Sequence, residues 1–291
     1  MSTDLLPAED TIRRAYGLAS PCRVCPRNCR VDRPGGEAGF CGVRELPLVA
    51  SAGPHYGEEP PLVGRGGSGT IFLGGCNLGC VFCQNASISH GREGAAAAPE
   101  QIARIMGQLQ ARGCENINFV TPTHVAPWLM EAVRLARVAG LRVPVVYNCG
   151  GYEGLEMLRL LEGTVDIYMP DAKYWDEEEA RRYSAAPDYP DIMRAALREM
   201  HRQVGDLEVV GGVTRRGLLI RHLVMPGGVA GSREMLDFIA GEISPRSWVN
   251  VMDQYRPAYR AHEFPAIARR PTPEEFREAC EHAARLGLKL L

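Results

Sequence analysis

The sequence predicts an α/β fold built on a parallel sheet, and three observations predict it. Six short apolar runs follow one another after Ser68, an amphipathic stretch separates each from the next, and glycines close most of those stretches. Strands that alternate with helices lie parallel and are joined by right-handed crossovers. An open doubly wound sheet and an incomplete barrel both satisfy the pattern. In either one, the chemistry belongs at the C-terminal ends of the strands.

Gly69 to Leu73 is the first apolar run and leads straight into a group of cysteines. A helix opens at Pro99, where proline suits the first turn; Ile102, Ile105, Met106 and Leu109 form its stripe and Gly113 ends it. Ile117 to Thr121 is the second strand, with a helix from near Pro127 to Gly140. Val143 to Tyr147 is the third, and the helix over Leu155, Leu158 and Leu161 stops at Gly163. Val165 to Met169 is the fourth, followed by one long helical region from Glu177 to Val204. Leu218 to Val224 is the fifth, with Met235, Phe238 and Ile239 marking its helix. Trp248 to Met252 is the sixth. Thr272-Pro273-Glu274-Glu275 opens the last helix as a capping box with proline at the first helical position. Residues 1–65 show little periodicity and many Pro, Gly and charged residues. The expected division is therefore a cysteine-rich metal-binding segment over 1–65 and an α/β domain over 66–291.

The 291 residues are 45% hydrophobic and 23% charged, with a net charge of −2, and a chain of this length builds a core without staples. No block of Lys or Arg offers a phosphate-binding surface, which argues against a nucleic-acid partner. No apolar run reaches the roughly eighteen residues of a membrane span. The polar, acidic stretch from Met1 to Asp10 lacks the basic and apolar regions of a secretory signal. A soluble, cytoplasmic protein is expected. Ten cysteines in such a chain point to metal, because the cytosol keeps thiols reduced.

Seven of those cysteines form two groups. Cys76, Cys80 and Cys83 have the spacing C-x3-C-x2-C on a loop with glycines at 74, 75 and 79. Three thiolates so placed reach three corners of a [4Fe–4S] cubane and leave the fourth iron open to an exogenous ligand. A structural zinc site or an electron-transfer cluster would want a fourth ligand, and none follows at short range. Cys22, Cys25, Cys29 and Cys41 make a complete four-thiolate set, C-x2-C-x3-C-x11-C, with a turn-rich loop bringing Cys41 back. That set closes either a zinc site or an auxiliary [4Fe–4S] cluster, and the compact, knuckle-like segment leans towards zinc.

With Phe82 before the last cysteine, C-x3-C-x2-C resembles the signature of the radical S-adenosylmethionine (SAM) superfamily. Four stretches resemble, more narrowly, its pyruvate formate-lyase activating enzyme-like branch: Cys22-x2-Cys25-Pro26-Arg27-Asn28-Cys29, Cys83-Gln84-Asn85, Tyr168 to Tyr174, and Arg221 to Gly227. The resemblance implies a six-stranded partial (β/α) barrel with the cysteine-rich segment before it. It implies that the unique iron binds SAM, and that one electron cleaves it to methionine and a 5′-deoxyadenosyl radical that abstracts hydrogen. It also implies an electron donor such as flavodoxin or ferredoxin. The substrate expected from the branch is a glycine of a partner glycyl-radical enzyme, with a small molecule or another polypeptide as the alternative, and a non-catalytic metal scaffold as a third reading.

One departure stands out. Relatives carry Gly-Gly-Glu after the second strand to meet the SAM amino group, whereas this chain has Thr121-Pro122-Thr123-His124. Thr121, Thr123 and His124 are the candidates there, and a hydroxyl or carbonyl is a weaker partner for an ammonium than a carboxylate. Asn148 falls where ribose or adenine contacts lie in the family. Asp171 and Lys173, two apart, can point to one side of an extended chain, towards SAM or towards each other. Arg221 offers a bidentate partner to the SAM carboxylate, and His222 stands beside it. Cys149 reads as a buried small residue or a hydrogen-atom donor.

Overall fold

The computed structural model describes residues 6–291, so Met1 to Leu5 of the polar N-terminal stretch lie outside the described residues. The strands are β1 (Leu48–His55), β2 (Ser68–Gly74), β3 (Ala95–Ala96), β4 (Ile117–Val120), β5 (Val145–Cys149), β6 (Ile167–Ala172), β7 (Glu208–Val210), β8 (Val213–Leu223), β9 (Trp248–Met252) and β10 (Lys289–Leu290). The helices are α1 (Glu9–Gly17), α2 (Pro60–Val63), α3 (Ala86–Ser89), α4 (Pro99–Ala111), α5 (Ala126–Val138), α6 (Leu155–Leu160), α7 (Glu177–Ser184), α8 (Tyr189–Val204), α9 (Ser232–Phe238) and α10 (Pro273–Arg285). No helix among the described residues is long and apolar enough to cross a membrane.

One sheet runs in the order β10-β9-β8-β6-β5-β4-β2-β1-β3, with β7 pairing β8 off that path. The strands β2, β4, β5, β6, β8 and β9 are parallel neighbours, which is the alternation of the sequence made solid. At one edge β1 pairs antiparallel with β2, and β3 with β1. At the other, β10 continues parallel to β9. The sheet is thus a partial barrel, open between its two edges.

Inside the barrel, Leu62, Val146, Ile167, Met169, Leu207 and Leu219 form a separate apolar cluster. Leu62 comes from α2, so the segment between β1 and β2 plugs the barrel interior. The larger core lies between the outer face of the sheet and its helices, and includes Met106, Leu129 and Met200. Residues from before β1 share that core: Ala15, Leu18, Cys22 and Val24 are all part of it, and α1 packs against α5 and α6.

Several boundaries differ from the sequence reading for identifiable reasons. The long region from Glu177 to Val204 is two helices. Asp176 caps α7 through bonds from Glu178 and Glu179 N–H (2.8 and 3.0 Å), Ala185 turns left-handed at φ 51°, and Pro190 starts α8. β8 begins five residues earlier than expected, because Gly211 and Gly212, both at positive φ, make a tight turn that pairs β7 with it. The expected capping box is present: Thr272 Oγ1 accepts from Glu275 N–H (3.1 Å) and Glu275 returns the bond to Thr272 N–H (2.6 Å).

Candidate active site

The cysteine loop leaves β2 at Gly74 and is held from several sides. Gly75 sits at φ +82°, and a Cβ there would lie 2.7 Å from the Cys41 carbonyl oxygen, so glycine lets the two cysteine segments touch. Gly79 N–H donates to the Ser184 carbonyl (3.1 Å) and Val81 N–H to the Tyr183 carbonyl (2.9 Å). The helix break at Ala185 is what exposes those carbonyls. Each thiol has a polar neighbour: Leu78 N–H donates to Cys76 Sγ (3.3 Å), Ser184 Oγ lies 2.9 Å from Cys80 Sγ, and Ser89 Oγ lies 3.0 Å from Cys83 Sγ.

All three thiols open on one cavity of about 440 Å3 at the C-terminal ends of the parallel strands, within the range of small-molecule sites. Burial pushes the Cys76 thiol up to about 12 and raises Cys80 as well. Ionised sulfurs are held in such a place only by compensating cations, and the iron of a cluster supplies them. Three thiols on a glycine-containing loop, each with its own polar neighbour, fit a [4Fe–4S] cluster. Among the described residues, no three His, Cys, Asp or Glu are grouped as a site for a single metal ion.

Across the cavity lies a buried ion network. Asp171 accepts from Lys173 Nζ (2.6 Å) and from Arg221 (2.8 Å at Nε), and Arg221 Nη2 also donates to Asn148 Oδ1 (2.7 Å). Burial works against every charge here, and the network outweighs it. Arg221 and Lys173 hold the Asp171 carboxyl below its usual range, while Asp171 raises both cations in return.

Of the eight residues considered for cofactor contact, Thr121, Asn148, Asp171, Lys173 and Arg221 line this cavity with the cysteines. Thr121 does so at φ +62°, a left-handed conformation that is strained for a β-branched residue by roughly 1–3 kcal/mol. The other three lie outside it. Thr123 Oγ1 donates to the buried Glu153 (2.8 Å). His124 Nε2 bonds the Gly74 carbonyl (2.9 Å) and so steadies the start of the cysteine loop. His222 is fully buried between the Ala172 carbonyl and Ser232 Oγ, at 2.8 Å from each. Cys149 lines the cavity and is buried. The cavity also gains residues that the sequence reading passed over: His55, the last residue of β1, and Glu58, from the unpatterned segment that follows it. Pro60-Pro61 was the only local signal there, marking a helix start.

Cys22 and Cys25 are buried, and Cys29 and Cys41 half-buried. Burial raises the Cys25 thiol, and the neighbouring Cys41, Cys22 and Cys29 add to the rise, so the four form one neighbourhood. Arg27, between Cys25 and Cys29, ties it to the other cysteine loop. Its guanidinium donates to the carbonyls of Asn77 (2.7 Å), Ser184 (3.2 Å) and Ala185. It also lies 3.8 Å from the Phe40 ring centroid, a cation–π distance.

Comparison with known proteins bears on the family and the fold. The sequence model of the Radical SAM superfamily matches residues 70–238, more than half of the chain. The uncharacterized protein MJ0674 of Methanocaldococcus jannaschii is 35% identical over 287 residues, covering 95% of this chain and 78% of its own. Among solved structures, a radical SAM methyltransferase from Sphaerobacter thermophilus superposes with a TM-score of 0.50 at 15% identity, over 76% of this chain and 65% of that one. SuiB of Streptococcus suis, bound to precursor peptide SuiA, gives a TM-score of 0.50 at 12% identity, over 74% of this chain and 46% of SuiB. The chain thus spans less than two thirds of either solved neighbour, and at these identities the likeness is one of fold.

Proposed function

Because this chain belongs to the radical SAM superfamily, we propose that Cys76, Cys80 and Cys83 hold its [4Fe–4S] cluster and that Asn148, Asp171, Lys173 and Arg221 hold SAM beside it. One observation carries the assignment: three polar-partnered thiols and a buried ion network face each other across a single cavity. When bound, the cluster supplies the electron that cleaves SAM to methionine and the 5′-deoxyadenosyl radical that abstracts hydrogen. The chain's own residues do the positioning. Lys173 and Arg221 offer cationic donors to the SAM carboxylate, and Asp171 and Asn148 offer acceptors to its ammonium and hydroxyl groups. Thr121, strained at the end of β4, presents its hydroxyl or its backbone to the same ligand.

On this reading the enzyme works in the cytoplasm, with electrons from a donor of the flavodoxin or ferredoxin class. The resemblance to activating enzymes makes a glycine of a glycyl-radical enzyme the first substrate to try. The second metal, at Cys22, Cys25, Cys29 and Cys41, is zinc or an auxiliary cluster; zinc would have to draw these thiols closer together than they stand, and a metal count decides between the two.

Anaerobic reconstitution with iron and sulfide, reduction by dithionite and addition of SAM test the reading. 5′-Deoxyadenosine is expected from the wild type and none from Cys80→Ala; turnover by the variant would remove the cluster assignment. Cys25→Ala should lose the second metal by iron, sulfide and zinc analysis while still binding SAM. An unchanged metal count would remove the second site.

A further inference from the structure

Side chains alternate along a strand, so Asn118 points to the same interior as Val120, and Asn250 to the same interior as Met252. Val120 and Met252 line the cavity. Asn118 stands beside Val146 of the apolar plug and Asn250 beside Arg221 of the cavity wall, so the two lie where plug and cavity meet. The segment between β1 and α2 adds two carboxylates to this polar layer.

Glu59 is 6% exposed. Its Oε1 accepts from Asn250 Nδ2 (3.2 Å) and lies 3.7 Å from Arg221 Nη1, while its Oε2 is buried without a partner. Asn118 is fully buried, and neither its amide nitrogen nor its amide oxygen makes a hydrogen bond of good geometry. Glu58 lines the cavity directly and its carboxyl faces both Glu59 and Asn118. Buried polar atoms without partners are rare in folded proteins, and several in one place call for an explanation.

The charges show what is missing. Asp171 and Glu59 are matched by Lys173 and Arg221, which leaves the Glu58 carboxyl with no cation of its own. Burial pushes that carboxyl up to about 7, with Arg221 pulling it down and Glu59 pushing it further up. With Glu58 ionised, above about pH 7, the layer presents one surplus negative charge and three acceptors, the Glu58 carboxyl, Glu59 Oε2 and Asn118 Oδ1, while Asn118 Nδ2 is turned to the Glu58 carboxyl. A primary ammonium carries one positive charge and three donors, with no acceptor to leave unmatched. A hydroxyl brings a single donor and no charge.

We infer that Glu58, Glu59 and Asn118 form the substrate subsite of this cavity and that the group it takes is a primary ammonium. This deepens the reading of the cavity as a radical SAM site and rests on it. The ammonium comes from a free alkylamine or from a lysine side chain, and the same chemistry recognises both.

The test uses the reconstituted, oxidised holoenzyme saturated with SAM at pH 8, where the Glu58 carboxyl is ionised and an alkylamine is still protonated. Ligand-observed NMR measures the Kd of n-butylammonium, of 1-butanol as its neutral isostere, and of Nα-acetyl-lysine methylamide. The wild type should bind butylammonium at least about tenfold more tightly than butanol, as expected for a charge-assisted contact. Glu58→Gln should bring the two within about twofold. Equal binding of both by the wild type overturns the proposal without reference to any variant, and so does a folded Glu58→Gln that keeps the preference. Tighter binding of the lysine amide than of butylammonium assigns the cation to a polypeptide, and the reverse assigns it to a free amine. SAM cleavage by the same wild-type preparation is scored separately. Absent 5′-deoxyadenosine therefore marks a failure of the radical SAM reading, and an absent amine preference marks a failure of the subsite.

Discussion

Arg221 and His222 are neighbours in sequence with opposite fates. Alternation along β8 turns Arg221 into the cavity and His222 out towards Ser232. A polar pair at a strand end reads as two candidates, and a one-residue change of register exchanges their faces. The three cysteines escaped that ambiguity because spacing itself is their signal. His222 and His124 now make a different prediction. Burial lowers both to about 4, with Arg33 adding to the effect at His124, against about 6.5 in an unfolded chain. Above pH 6.5 neither state binds the proton. As pH falls towards 4 the unfolded chain takes it up and the folded one does not, so stability drops across that window by up to roughly 3 kcal/mol per histidine. Urea midpoints at pH 7 and pH 5 should show the drop, and His222→Gln should lessen it; an equal drop in the variant would contradict the assignment.

Among the elements, those with strong periodicity were legible. The stripe of α4, the capping box of α10 and the run of β9 lie where the pattern put them. β1 was not legible, because Leu48-Val49-Ala50-Ser51-Ala52-Gly53-Pro54-His55 is poor in β-branched and aromatic residues; its pairing with β2 holds it. The break between α7 and α8 was equally hidden, though Pro187 marks it after the fact. That break presents the Ser184 and Ala185 carbonyls to Arg27. Replacing Arg27 by Ala removes those bonds and the stacking on Phe40, and should cost roughly 2–3 kcal/mol by chemical denaturation. Arg27→Lys should recover less than half, since one ammonium cannot span three carbonyls as a planar fork does. Full recovery by lysine would reduce the contact to a simple charge.

For the whole molecule, the alternation of strands and helices was visible in the sequence, and so was the end of the sheet that carries the site. What joins residues 1–65 to the rest was not, because those contacts link positions far apart in the chain. Leu62 is the clearest case: it is fully buried, packed inside the barrel against Val146, Ile167 and Leu219. Leu62→Ala should destabilise the protein by about 2–5 kcal/mol, a large loss for one residue outside the parallel strands. A loss under 1 kcal/mol in denaturant titration would mean that α2 is dispensable to the interior.

The two outer strands of the sheet, β3 and β10, are each only two residues long. A long bare edge is a template on which a second chain can add its own strand, and a two-residue edge offers almost no ladder to extend. The protection matters most before the cysteines have acquired their metals, when newly made chains meet one another at their least finished. On the β3 side that cover is partial: β3 pairs only Leu48 and Val49, and Pro54, which has no N–H to donate, blunts the bare remainder of β1.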